Sequence, residues 1–412
     1  MSNAALSGGG QTVRQLTVRY DAAGNLSGLR DEIAGQVLSR KSIYDGMYRL
    51  TRSELWQGDP GTALLRGDSY AYTITGDMVR NDEALTGAMG LWRCCTRRRL
   101  TQAQPADAAA PLPLHYDAAG HLTEFGNLRN LQYDLWDRLK QATAPDGSIV
   151  SFDYDFSGAR VRKRVQTAAR TRETRYAENL YETGADGSRL NNLIGMLLVA
   201  VQTVPPAGAS QSVYVLTDHL GSILAACNPA GAIQHQQMYS PFGLTLHPPS
   251  AHDRYIGLPP DGEPGLSQFG ARYYAPSIGR FITPDWFIIE NPNRSQRLPQ
   301  GLNAYSYAIN NPLALRDASG LWFGLDDLIV AAVGFVVGFI AGIIHGIATG
   351  QSFGDCLLNG LEGALVGAAG AWLAHNTAGA ALGLLGISAT GGADSSNARI
   401  CRTDRNPAPS IP

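Results

Sequence analysis

The octet LRDASGLW, residues 315–322, stands where the sequence changes character. Asp317 in that octet and Asp285 at the end of GRFITPD upstream are carboxylates, a residue type able to act as an acid or a base. Two carboxylates held close cannot both ionise cheaply, so one keeps its proton while the other can activate a water. The plainer reading is local structure: Asp317 and Gly320 make a turn, and Asp285 caps another after Pro284. Other chemistries lack their residues. The 5 cysteines, at 94, 95, 227, 356 and 401, show no CxxC spacing and an odd count, so neither a zinc site nor a disulfide framework is expected. The adjacent Cys94 and Cys95 read as ordinary thiols rather than a redox pair. HExxH, a P-loop and metal-ligand spacings are absent, so no metal, no cofactor and no enzymatic toxin domain are expected.

The elements that must position these acids come from a repeat. YDAAGNL at 20–26 recurs as YDAAGHL at 116–122, with weaker copies YDGMYRL at 44–50, YDLWDRL at 133–139 and YDFSGARV at 154–161. YTITGDMVR at 72–80 keeps Tyr and Gly but loses the adjacent Asp. Tyr suits a half-buried pleated surface and its hydroxyl can reach a neighbour. Asp bonds its own backbone two residues on, Gly supplies a positive φ, and the next Leu or Val restarts a strand. Each unit is then a β-hairpin with open edges that needs neighbours to pair with. The 412 residues include 47 Gly and 17 Tyr with only 17% charged, a composition of turns and half-buried strands rather than of a helical bundle. The formal net charge of −2 gives no reason to expect nucleic acid as a partner.

The repeats resemble the YD repeats of the Rhs family, shared with the B and C components of Tc toxins and with teneurins. The resemblance runs on through YVLTDHLGSILAACNPAGAI at 214–233 and MYSPFG at 238–243. RYIGLPPDGEPGLSQFGARYYAPSIGRFITPD at 254–285 and GLNAYSYAINNPLALRDASGL at 301–321 are similar to the Rhs-associated core. It covers roughly residues 15–321. What the resemblance implies is a shell of wound hairpins enclosing a C-terminal polypeptide, often a toxin, with the core as its plug and self-cleaving end. Carried over by residue, it implies a cut between Leu321 and Trp322 and a catalytic pair of Asp285 and Asp317. Arg280, the Arg of GRF, would hold an acid ionised through a paired hydrogen bond; the alternative for Arg280 and Arg272 is a structural ion pair. His219 in TDHLGS also matches the family, as a structural hydrogen-bonder rather than a catalyst. Two features depart from the pattern. Ala318 replaces the Pro of DPxGL, so φ is not locked there, and residues 286–300 make a long connection between the core halves.

After the octet the chain is apolar. Residues 328–349 carry no Asp, Glu, Lys or Arg; as a helix they would reach roughly 33 Å, enough to cross a bilayer core. Gly334, Gly338, Gly342, Gly346 and Gly350 recur every fourth residue and line one helix face, a pattern that lets backbones pack closely in lipid. A second Gly/Ala-rich stretch, 357–387, is broken by Glu362, His375 and Asn376. Together they read as a helical hairpin, either a membrane-active unit or a linker stored in the shell.

The expected fold is mainly β: spiralling antiparallel β-hairpin repeats, a partial Rhs-type shell, then an apolar Gly-rich α-helical hairpin. The expected divisions are YD-repeat hairpins over 1–90, an irregular linker or insertion over 91–113, and further hairpins over 114–213. The core follows over 214–321, the apolar helical segment over 322–388 and a disordered tail over 389–412. The expected partners are the enclosed or appended C-terminal segment, a membrane, a carbohydrate or protein surface ligand, and an immunity or secretion-system partner. The N-terminal MSNAALSGGGQTVRQ lacks a signal-peptide apolar run, so the expectation is a dedicated secretion route or membrane association. Two functions remain open at this stage: a toxin-delivery fragment that cuts itself, or a non-enzymatic surface protein or inactive remnant.

Overall fold

The structure, a computed structural model, describes residues 2–320 apart from 9–10, 84–89, 95–96, 105–109, 178–179, 195–196, 231, 249, 287–299 and 301–302. Leu321, Trp322 and the apolar segment with its five glycines Gly334, Gly338, Gly342, Gly346 and Gly350 lie outside the described residues, as does the expected helical hairpin. The chain divides into two units, 1–325 and 326–412, and all that follows concerns the first. Among the described residues no helix is long and apolar enough to cross a membrane.

Antiparallel β-structure dominates the described residues, and strands pair in chain order. Seven strands, from Ser2–Gly8 to Met78–Asn81, form the first sheet. Four form the second, from Gly90–Cys94 to Leu122–Phe125, and eleven the third, from Arg129–Tyr133 to Ile233–Gln236. A small fourth sheet holds Pro260–Asp261, Leu266–Phe269, Arg272–Ala275 and Arg280–Phe281. Over 91–113, where an irregular linker or insertion was expected, the described residues include the strands Gly90–Cys94 and Arg97–Ala103, and the second pairs with Leu112–Tyr116. Leu100 and Ala103 from this stretch are fully buried. The Arg run leads into a strand because the apolar Leu100 and Ala103 that follow it reach the interior.

The repeat turns form by the local chemistry of Asp. Asp21 Oδ1 accepts the backbone N–H of Ala23 at 2.9 Å and of Asn25 at 2.8 Å. Asp45, Asp134, Asp155 and Asp218 do the same two and four residues on. Where YTITGD lacks the Asp, the Thr73 hydroxyl takes its place and accepts the N–H of Asp77 at 3.1 Å. The backbone folds left-handed at the fifth position, served by Gly24 at φ 85° and even by Tyr48 at φ 63°.

Tyr then links each turn to the one before. The hydroxyl of Tyr44 donates to the Leu26 carbonyl at 2.9 Å and that of Tyr72 to Leu50 at 2.7 Å. Tyr133 and Tyr154 repeat the bond to Leu122 and Leu139, at 2.7 and 2.6 Å. The accepting residues are the ones that restart the strands, and all four leucines are buried. In an up-and-down meander with two strands per repeat, these turns fall along one rim of the sheets.

Residues 303–311 pack on that rim. Asn303 Nδ2 donates to the Gly76 carbonyl at 3.2 Å, and Asn310 Nδ2 to the same carbonyl at 2.9 Å. Asn311 Nδ2 reaches Asn25 Oδ1 at 2.9 Å, and Tyr305 donates to the Gly120 carbonyl at 2.7 Å. The core therefore recognises turns from three separate repeats mainly through their backbone.

Candidate functional site

The fourth sheet carries the site. Its interior is a buried aromatic cluster in which Phe269 and Tyr274 stack at 4.8 Å and Tyr307 lies 4.9 Å from Tyr274. Phe281 joins it, and the Arg272 guanidinium sits 3.7 Å above the Phe281 ring centroid. That placement takes Arg272 out of solvent, at 6% exposure. A cation so placed needs a carboxylate, and it has two. Arg272 Nη2 lies 3.0 Å from Asp317 Oδ2 and 3.2 Å from Asp285 Oδ2. Both acids are buried, each at 3% exposure.

The remaining donors of Arg272 hold main chain. Nη1 donates to the Ala304 carbonyl at 3.1 Å, and Nε donates to the Gly320 carbonyl. Asp317 Oδ1 accepts the Gly320 N–H at 2.8 Å and the Ser319 hydroxyl at 3.1 Å. Asp285 is fixed through its backbone, whose N–H donates to the Ala304 carbonyl at 2.8 Å. One guanidinium thus orders both carboxylates and the backbone of the segment that leads to Leu321.

Asp285 and Asp317, expected as a pair, lie against one side chain across the intervening segment. Arg280 lies on the adjoining strand of the same sheet. Its Nη2 donates to Asn303 Oδ1 at 3.1 Å, and its guanidinium lies 5.8 Å from the Tyr305 ring centroid. The cation ion-paired to both acids is Arg272, which the sequence marked only as a structural partner. Strand pairing explains this: Ala275 pairs with Arg280 and Tyr274 with Phe281, and the Ile282 N–H donates to the Tyr273 carbonyl at 3.0 Å. Arg272 is therefore level with the residues that follow Phe281, towards Asp285. His219 is a hydrogen-bonder, with Nε2 2.7 Å from the Leu313 carbonyl. Two buried carboxylates beside a fixed cation and an ordered backbone segment are the parts of an acid–base hydrolytic site.

Residues 195–313 match the family model described as Teneurin YD-shell. Toxin protein Tse5 of Pseudomonas aeruginosa is 27% identical over 340 residues, which cover 74% of this chain and 24% of Tse5. Teneurin-3 of Mus musculus is 24% identical over 334 residues, covering 73% of this chain and 12% of that protein. The crystal structure of TcdB2-TccC3-Cdc42 superposes with a TM-score of 0.57 at 20% identity, covering 78% of this chain and 18% of that one. The shared feature with that complex is the fold. The chain spans no more than about a quarter of the length of these relatives.

Proposed function

This chain is an Rhs/YD-repeat family protein, and from that premise we propose that it is the scaffold-and-processing part of a toxin-delivery protein. In this reading the hairpin repeats hold the core, and the core cuts the chain once between Leu321 and Trp322. The cut frees the C-terminal segment, which seeks a membrane. The observation that carries the reading is the bridging of two buried carboxylates by Arg272 Nη2, next to the backbone that leads to Leu321.

The chemistry balances as a hydrolysis. One carboxylate takes a proton from a water as the water oxygen bonds to the Leu321 carbonyl carbon. The other, protonated, polarises that carbonyl oxygen. The bond to the Trp322 nitrogen then breaks, and the leaving amine takes up a proton, while the Leu321 carboxyl stays on the core. Arg272 holds the acids in place through its ion pairs with both. A single turnover suffices, so modest catalysis is enough.

A second reading rests on the same guanidinium. Its bonds to Ala304 and Gly320 equally suit an architectural knot in a non-enzymatic surface protein anchored by its apolar tail. The denaturing-gel mass of the purified chain separates the two. Self-cleavage gives two fragments, the smaller beginning at Trp322 by N-terminal sequencing, and Asp285→Asn and Asp317→Asn each leave the 44.0 kDa chain whole. A whole wild-type chain that fractionates with membranes supports the anchored protein instead. Secretion through a dedicated system, with an immunity partner, belongs to the first reading, which the similarity to a named toxin supports.

A further inference from the structure

The turn between Leu266–Phe269 and Arg272–Ala275 meets the chain end back to back. The Ala271 N–H donates to the Ser319 carbonyl at 2.9 Å, and Arg272 Nε donates to the carbonyl of Gly320. Contact is reciprocal at two glycines. A Cβ on Gly270 would collide with the Ser319 carbonyl, and a Cβ on Gly320 would collide with the Phe269 carbonyl and stand 2.9 Å from the Arg272 nitrogen. Both residues are left-handed, at φ 52° and 66°, a conformation that L side chains resist. Neither obstacle is the flexible end of a side chain, so neither can swing away.

We infer that this turn is a backbone clamp that admits only glycine at position 320 and holds the segment before the bond so that the protein cuts itself and never a second copy. The inference rests on the self-cleavage reading above and names the positioning residues, Gly270 and Gly320, and the substrate, the chain's own strand. The restriction to one's own chain follows from Asp317. It belongs both to the acid cluster and to the segment that is clamped, only three positions before Gly320. An incoming copy would have to displace residues 317–320 of the resident chain, which the clamp and the ion pair with Arg272 already hold in place. After the cut the same bonds retain the new end, which keeps the site filled.

The test uses the full chain and a matched control. Gly265 has the same left-handed backbone, φ 65°, but nothing lies within 4 Å of an added Cβ. Gly265→Ala therefore carries the strain without touching the clamp. Gly270→Ala and Gly320→Ala are expected to slow self-cleavage by about tenfold or more relative to Gly265→Ala; equal rates in all three overturn the clamp. A tagged Asp285→Asn chain mixed with wild type is expected to stay whole, and its cutting overturns the restriction to the same chain. Hydrogen exchange at Ala271, followed in uncut Asp285→Asn protein, reads the clamp without any cleavage. Protection should persist with Gly265→Ala added and vanish with Gly320→Ala added. An Ala271 amide that exchanges freely from the start removes the clamp. A wild-type chain that stays whole while Ala271 is protected removes the self-cleavage reading alone.

Discussion

Arg272 Nη2 contacts an oxygen of both Asp285 and Asp317, so deleting the guanidinium leaves two buried acids facing each other. Breaking a buried pair from one side costs about 3–5 kcal/mol, because the stranded charge keeps its desolvation penalty. Arg272→Gln is expected to lower the thermal midpoint by that equivalent and to abolish the cut. Arg272→Lys keeps the charge but lacks the planar fork that reaches Ala304, Gly320 and both carboxylates. It is expected to recover part of the stability, seen in a thermal melt, but none of the cleavage, seen on a gel. The acids were legible in the sequence because each sits in a short motif of its own. Arg272 was less so, because GRF places Arg280 near Asp285 along the chain, whereas antiparallel pairing brings Arg272 level with the residues just before Asp285.

At the scale of elements, the repeat is written in local chemistry and its end is marked by a charge. In YDFSGAR, Arg160 takes the place that a buried Leu holds in the other copies. Its Nη1 pairs with Asp261 at 2.5 Å and its guanidinium lies 4.4 Å from the Tyr176 ring centroid. Lys163 also reaches Asp261, at 3.0 Å, so this repeat docks on the fourth sheet by charge rather than by apolar burial. At the end of the first sheet, Glu83 docks on the turn of YSPFG. It accepts from the Tyr70 hydroxyl at 2.6 Å, from the Ser240 hydroxyl at 2.5 Å and from the Phe242 N–H at 2.9 Å. Burial pushes its carboxyl up to about 7, against the hydrogen bonds from Ser240 and Tyr70, and neighbouring Asp68 pushes the same way. Arg66 is occupied by Asp68 at 2.8 Å. A carboxyl raised on folding favours the folded state at low pH, where it is protonated in both states. That contribution is lost as pH rises from about 4.5 through about 7. Denaturant melts across that window are expected to show wild type losing stability relative to Glu83→Gln; parallel curves would show that Glu83 does not ionise there.

For the whole of the described unit, the core is a seal made against the repeats. Asn303, Asn310, Asn311 and Tyr305 spend their side-chain donors on Gly76, Asn25 and Gly120 of the repeat turns. Residues 308–310 keep three consecutive left-handed backbones, Ala308, Ile309 and Asn310, a conformation costing roughly 1–2 kcal/mol per residue without outside support. A chain of residues 214–320 alone loses these partners while keeping its buried amides. It is expected to be cleaved rapidly by a trace of trypsin, while the same residues within the full chain resist. Equal resistance would mean that the core supports itself.

The sequence by itself determined the hairpins, because their information is short-range: an Asp that bonds backbone two and four residues on, a left-handed fifth position and a Leu that restarts the strand. Thr73 shows that even a broken motif keeps the turn when another oxygen stands in the same place. It also marked both acids and an expected boundary after Leu321. Only the tertiary structure decided that Arg272 ion-pairs with both acids, that the Arg run around residue 98 lies within a paired strand, and that two turns fifty positions apart, at Gly270 and Gly320, pack backbone to backbone. Each of these depends on strand register and on the return of residues 303–320 across the fourth sheet. Such contacts join residues far apart in the chain, where no local preference can specify them.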